Sequence, residues 1–289
     1  MNSIFLAIKN NEISFVKHFL QEKEIINSIN SETPLHVACY NNSSIEIIKL
    51  LLESGANINS KTNETPFHYA AKKSNSEILQ LLITFGANVN EEGKNSPLHY
   101  ACANQTKYDK IKILLDASAE INKENGYTPL HVACMFNATS KEVQLLLSNG
   151  ADTTKQNGDT PLHYACFYKA EIEVVRILIE NKSDLNSKGQ ETPLHYACKS
   201  KTSVEVIELL IKSGSNVNAI QKNTPLIYAC KLPIIPEVIS LLIKNGASVN
   251  SQNGNTPLII ACLDNNAKDV IELLLQSGAD PTIMNDVCF

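Results

Sequence analysis

Arginine is almost missing from this chain: of 25 basic side chains, only Arg176 carries a guanidinium. Bidentate recognition of phosphates and guanine edges favours that planar fork, so nucleic acid is not expected as a ligand. Charge of one sign is never concentrated either. The formal net charge of −5 is spread along the sequence with no run of five or more like charges, which argues against a basic arm or an acidic tail. Long apolar runs are absent as well. The stretch from Ile4 to Ile8 stops at Lys9, too short for the centre of a signal peptide. Nothing elsewhere approaches the roughly 20 apolar residues of a membrane span. The expected setting is therefore the cytoplasm, with the nucleus left open, and no membrane partner. Asn-x-Ser/Thr triplets such as those at Asn42 and Asn104 carry no weight in an Asn-rich chain without a signal peptide.

What is present is a repeat. The chain has 289 residues, 43% of them hydrophobic, which is ample for a buried core. A Thr-Pro-Leu-His-like tetrapeptide recurs with its proline at Pro34, Pro66, Pro97, Pro129, Pro161, Pro193, Pro225 and Pro257. All but one of the spacings are 32 residues and the exception is 31, so the period is fixed and decides the architecture. Each copy runs on into Ala-Cys or a close variant, a polar stretch, and a second apolar segment ending in a pattern such as Leu51-Leu52-Glu53-Ser54-Gly55-Ala56-Asn57.

Physical chemistry reads the tetrapeptide as a helix start. Thr33 can accept the backbone N–H of His36, and Pro34 occupies the first helical position, where no N–H is missed. Ser96 can do the same in the third copy. The second segment, with Ile45, Ile47, Ile48, Leu51 and Leu52, spaces its apolar residues as an amphipathic helix does. Two antiparallel helices per copy follow. Gly55, Gly86, Gly150, Gly214, Gly246 and Gly278 fall where a helix ends in a left-handed residue. Ser118 and Lys182 replace that glycine, so strained or rearranged turns are expected there. Residues 1–30 lack the tetrapeptide but keep the two-helix apolar pattern, as a degenerate terminal repeat would.

These motifs resemble the ankyrin-repeat family, in which Thr-Pro-Leu-His opens the first helix and Gly-Ala-Asp/Asn follows the second. The resemblance covers essentially the whole chain as nine units. It implies an all-α fold, an ankyrin-repeat solenoid of stacked antiparallel helix pairs with short β-hairpin-like fingers. The fingers are expected to be short because about two residues fewer than usual lie between Gly and the next Thr, as from Gly55 to Thr65. Residues 1–289 then form a single ankyrin-repeat domain: a degenerate repeat at 1–30, eight full repeats at 31–277, and a tail or truncated finger at 278–289.

Six of the seven histidines, at 36, 68, 99, 131, 163 and 195, and seven of the eight cysteines, at 39, 102, 134, 166, 198, 230 and 262, sit at fixed repeat positions. His and Cys three apart on a helix can share a face, as a metal ladder or a nucleophile and base would require. The packing reading is stronger: cysteine takes the place of a small buried residue, and histidine at the helix start can bond backbone. Ile227 and Ile259 replace histidine in the last two copies, so no histidine chemistry runs the length of the array. Thiols on stacked helices about 8 to 10 Å apart are too distant for disulfides, which suits a reducing compartment. Tyr69, Tyr100, Tyr164, Tyr196 and Tyr228 form a row one place after the histidines, and packing again explains them best. No phosphate loop or catalytic carboxylate pair is visible, so no enzyme activity, metal, cofactor or small-molecule substrate is expected.

In a repeat array function belongs at positions that vary between copies. By family resemblance the concave binding face is built from finger residues just before Thr and from the end of the first helix. Met135, Phe136, Phe167 and Tyr168 are the large apolar residues at mid-array helix ends, and Tyr127 lies in the finger before the first of them. These five are the expected partner-binding residues, unless their rings fold back into the inter-repeat core. The expected function is a non-catalytic protein-interaction module or adaptor, monomeric, with a protein partner. The alternatives are a regulatory or inhibitory subunit of an enzyme, or the ankyrin part of a larger multidomain enzyme.

Overall fold

The computed structural model describes residues 2–21, 26–27, 32–104, 108–155, 158–231, 235–251, 255–263 and 268–283. Residues 284–289 of the expected tail, and 22–25 and 28–30 of the degenerate first repeat, lie outside them. Among the described residues the fold is all-helical, eighteen helices without a strand. They pair in order. The pairs are α1 (Asn2–Lys9) with α2 (Ile13–Phe19), α3 (Pro34–Tyr40) with α4 (Ile45–Glu53), and α5 (Pro66–Lys73) with α6 (Ser76–Thr84). Next come α7 (Pro97–Cys102) with α8 (Tyr108–Asp116), then α9 (Pro129–Met135) and α10 (Ser140–Ser148) in chain order, and α11 (Pro161–Phe167) with α12 (Ile172–Glu180). The last are α13 (Pro193–Ser200) with α14 (Val204–Lys212), α15 (Pro225–Ala229) with α16 (Pro236–Lys244), and α17 (Pro257–Cys262) with α18 (Lys268–Gln276).

The chain divides into two compact units. The first comprises residues 1–136 and 144–151, the second 137–143 and 152–289. In the first unit α3 packs on α5, α5 on α7 and α7 on α9, while α4 and α8 flank α6. In the second, α13 lies between α11 and α15, and α14 lies between α12 and α16. The core of each copy is the stripe the sequence pattern selects: Leu35, Ala38, Cys39, Ile47, Ile48 and Leu51 are all fully buried.

Every first helix opens as its tetrapeptide dictates, but the histidine does more than cap. Thr33 N–H donates to His36 Nδ1 at 3.2 Å, and the Thr33 hydroxyl lies 2.7 Å from the same nitrogen. With Nδ1 accepting, Nε2 carries the proton and donates to the Glu64 carbonyl of the next finger at 3.0 Å. His68, His99, His163 and His195 repeat the link to Glu91, Tyr127, Ser187 and Ala219 carbonyls. Burial holds all five rings below the ordinary imidazole pKa, against the opposing pull of these carbonyls, so they are neutral. Where histidine is replaced, Thr224 and Thr256 hydroxyls instead accept the N–H of Ile227 and Ile259, at 3.3 and 3.2 Å.

The second helices end in a Schellman turn. Gly55 N–H bonds the Leu52 carbonyl at 3.0 Å and Ala56 N–H bonds Leu51 at 2.9 Å, with φ of +95° at Gly55. Ser118 and Lys182 do not rearrange it. Both keep the same pair of bonds and adopt φ of +64° and +65°, inside the narrow left-handed well open to residues with a Cβ. The cost expected of a non-glycine residue stays, while the geometry is preserved.

Asparagines four residues past these turns tie each copy to the next. Asn59 Oδ1 accepts from Asn88 N–H at 3.1 Å, and Asn90 spans the Ser118 carbonyl and Glu120 N–H at 3.0 and 2.8 Å. Asn186, Asn218 and Asn250 do likewise for the turns at Gly214, Gly246 and Gly278. The fingers that follow are turns. An isolated bridge joins Asn125 and Tyr127, and Glu32 and Asp159 are bridge residues of other fingers.

Candidate partner-binding surface

The tyrosine row is explained by the residue that precedes each threonine. Tyr69 Oη donates to Glu32 Oε1 at 2.7 Å and Tyr196 Oη to Asp159 Oδ2 at 2.8 Å. Tyr100 donates to Glu64 and Tyr228 to Glu191 in the same way. Four of the five phenols therefore bond a carboxylate one copy back; for Tyr164 the residue before the preceding threonine is Tyr127, not an acid. Each of the four rings also packs edge-on against the preceding histidine, with centroids 5.6 to 6.3 Å apart in the four pairs. Burial, then the carboxylate, raises the phenol pKa, to about 12 for Tyr100. Sequence reasoning missed this pairing, although its signal was there. Acid before Thr in one copy goes with Tyr after His in the next.

The row has gaps. In the third copy the acid is replaced by Asn95 and in the fourth the tyrosine by Val132. Asn223 and Ile260 form a second such gap. At the first of them the surface opens into a cleft of about 530 Å³, with Asn95, Tyr100, Val132, Met135 and Phe136 among its walls and Lys72 and Lys73 on its rim. Tyr127 lines it too. Its carbonyl accepts from His99 Nε2 at 2.7 Å, which fixes the finger while its ring remains exposed.

Three of the five expected contact residues, Tyr127, Met135 and Phe136, thus meet in one cleft of the first unit. Phe136 is 54% exposed and Tyr127 37%, while Met135 is half-buried. The other two lie in the second unit and touch each other. Phe167 and Tyr168 rings are 5.1 Å apart edge-on, and each is about as exposed as Tyr127, at 40% and 43%. Phe167 also rests against Tyr196 at 5.6 Å.

Another departure from the repeat lies on the second helices. Eight residues before the closing turn, six copies place Ile47, Ile78, Val174, Val206, Val238 or Val270, whereas the third and fourth place Lys110 and Glu142. Both charged side chains are buried. Glu142 accepts the Thr139 N–H at 2.7 Å, as a capping box does. Lys110 Nζ has the Ala71 carbonyl at 3.3 Å and no carboxylate within ion-pair reach among the described residues, so desolvation lowers its pKa to about 8.

The six repeat histidines and the cysteines at 39, 102, 134, 166, 198 and 230 are buried in packing, while Cys262 is exposed. Burial pushes the Cys198 and Cys230 thiols up to about 12, away from reactive thiolate. No disulfide joins the described cysteines. Among the described residues no group of three or more His, Cys, Asp or Glu is placed to hold a metal ion. No helix among them is long and apolar enough to cross a membrane.

Helix pairs whose polar residues mostly satisfy the neighbouring copy, leaving variable helix ends on the surface, define a repeat scaffold of the protein-binding class. The chain belongs to the ankyrin-repeat family. The family model described as ankyrin repeats (3 copies) matches residues 4–93, 60–125, 86–157, 130–221 and 194–285. Among solved structures, the human ASB11 ankyrin repeat domain is similar, at 29% identity and a TM-score of 0.66 over 75% of this chain and 100% of that one. A comparison with curated proteins gives no significant match.

Proposed function

We propose that this chain is a non-catalytic interaction module or adaptor that binds a protein partner through its first-helix ends and fingers. Tyr127, Met135 and Phe136 are the contact residues in the first unit and Phe167 and Tyr168 those in the second. One observation carries the reading: Phe136, Phe167 and Tyr168 expose large rings at the positions where copies differ, while the scaffold positions around them are buried. Exposed aromatics clustered on a rigid support are favoured hot-spot residues. The protein acts as a monomer, without nucleic acid, small-molecule substrate or cofactor. It works in the cytoplasm, where its buried thiols stay reduced.

The test is affinity capture with the intact chain, partners identified by mass spectrometry, repeated with Phe136→Ser and Tyr168→Ser. Each substitution should weaken binding of the captured partner by about 2 kcal/mol if its residue is a hot spot. Melting temperature should barely move. A loss of about 3 to 5 kcal/mol of stability would instead mark the ring as core and retire it as a contact.

A further inference from the structure

The cleft beside Phe136 points to a partner of particular chemistry. At four other places in the array a carboxylate and a phenol ring from adjacent copies fill the corresponding place, as Glu64 with Tyr100 and Asp159 with Tyr196 do. Here both are missing at once. Asn95 supplies no charge, and Val132 supplies three side-chain carbons where a tyrosine ring would lie.

Two cations stand at the rim of that gap. Lys72 Nζ lies over the Tyr100 ring at 5.1 Å and Lys73 Nζ over the Tyr40 ring at 5.8 Å. Both side chains are exposed, and among the described residues no carboxylate comes within ion-pair distance of either. Lys199, in the second unit, occupies the place equivalent to Lys72 and does have a carboxylate, Glu191 at 3.4 Å. Glu64, the acid of the adjoining rung, is buried and already accepts from Tyr100. The opposite wall is apolar, made by Val132, Met135 and Phe136. The cleft thus combines a positive rim with an apolar wall, and no acidic side chain lines it among the described residues.

We infer that this cleft receives a partner segment in which an acidic residue neighbours a large apolar or aromatic one. The carboxylate would be held by Lys72 and Lys73, and the apolar side chain would lie on Val132, Met135 and Phe136. The segment in effect supplies the rung the array omits. A carboxylate between two cations beside a dry wall gains more than it would in open solvent, and a basic segment is repelled. The inference rests on the interaction-module reading and adds to it the class of sequence recognised.

The experiment uses a phage-displayed library of random dodecapeptides panned on the intact chain, with the enriched peptide titrated by fluorescence polarisation. Enrichment of acidic–aromatic or acidic–aliphatic pairs is expected. Affinity should fall about tenfold or more in Lys72→Glu/Lys73→Glu and in Phe136→Ser, and should weaken as salt rises. A third variant, Asn95→Glu/Val132→Tyr, builds the missing rung from the protein's own residues. It should lose the peptide to a similar degree while melting no lower than the parent. If that variant does not fold, the exposed lysine pair still decides the matter. Enriched peptides without acidic residues, peptides indifferent to Lys72→Glu/Lys73→Glu, or no enrichment at all would each overturn the inference. The broader reading fails separately, when the intact chain captures no protein.

Discussion

Tyr196 Oη sits 2.8 Å from Asp159 Oδ2, thirty-seven residues back in the sequence and one copy away in the stack. The same carboxylate accepts the Gln190 N–H at 3.2 Å through its other oxygen. One buried acid therefore ties a finger to both the first helix and the finger of the following copy. Tyr196→Phe removes the first tie and leaves the second. The expected cost is about 1.5 to 3 kcal/mol, typical of a hydrogen bond to a charged group, read as a lower urea midpoint at unchanged slope. A midpoint equal to the parent's would reduce the rung to a geometric coincidence.

The neutral histidines make stability depend on pH with a definite sign. His36, His68, His99, His163 and His195 have folded pKa values below the unfolded 6.5, chiefly through burial. Each contribution is fully present above that value and is lost as pH falls through the folded pKa. Urea midpoints should be flat from about pH 7 to 8 and decline steadily below about 6.5. His163→Ile/His195→Ile copies the solution already present at Ile227 and should reduce the slope. An unaltered slope in that variant would assign the acid sensitivity to other groups.

Lys110 predicts the opposite end of the scale. Its folded pKa is lowered to about 8 from 10.5 by burial, so the folded protein bears the cost of a desolvated charge below about 8 and is relieved of it as pH rises to 10.5. Lys110→Ile, the residue its position carries at Ile47 and Ile78, should raise stability at pH 7 by about 1 to 3 kcal/mol, the usual penalty for a poorly compensated buried polar group. It should also remove the gain between pH 8 and 10.5. Destabilisation on substitution would mean that the Ala71 bond outweighs the burial cost.

The two non-glycine turns can be improved by what the repeat itself uses elsewhere. Ser118→Gly and Lys182→Gly relieve a left-handed Cβ at φ of +64° and +65°. Each should stabilise by up to about 1 kcal/mol, since the relief of about 1 to 2 kcal/mol is partly offset by a more flexible unfolded chain. Thermal melts of the single variants and of the pair test this, and additivity is expected because the two turns belong to different compact units and share no hydrogen-bond partner. A drop in melting temperature for both would show that glycine's entropy dominates.

Much of this was legible because the period is rigid. The eight prolines located the first helices, each of which begins on its proline, and the apolar stripe located the core. The five expected contact residues were legible only as exceptions to the repeat. Their exposure depends on packing between copies, which no single copy encodes. The tyrosine–carboxylate rungs went unread for a related reason. Each pairs a residue in one copy with a residue in the next, so reading down columns of equivalent positions shows two variable columns and conceals that they vary together. Lys110 and Glu142 were equally visible as breaks in an apolar column, but whether a long charged side chain is buried there or reaches solvent is decided by the packing around it.

The bonds from His36, His68 and His195, and from Asn90, Asn186, Asn218 and Asn250, all run from an earlier side chain to a later backbone. These carbonyls are thus matched by donors of the copy before, while Ser74, Asn104 and Ser200 donate back to the Cys39, Lys72 and Cys166 carbonyls of the copy before them. Shortening the array has unequal consequences at its two ends. Removing the last copies opens the asparagine side chains to water, which solvates them at little cost, and takes from first-helix carbonyls such as that of Cys166 the hydroxyl that bonds them. Removing the first copies strips main-chain groups of the partners that define their turns, so the exposed edge loses its shape along with its bonds.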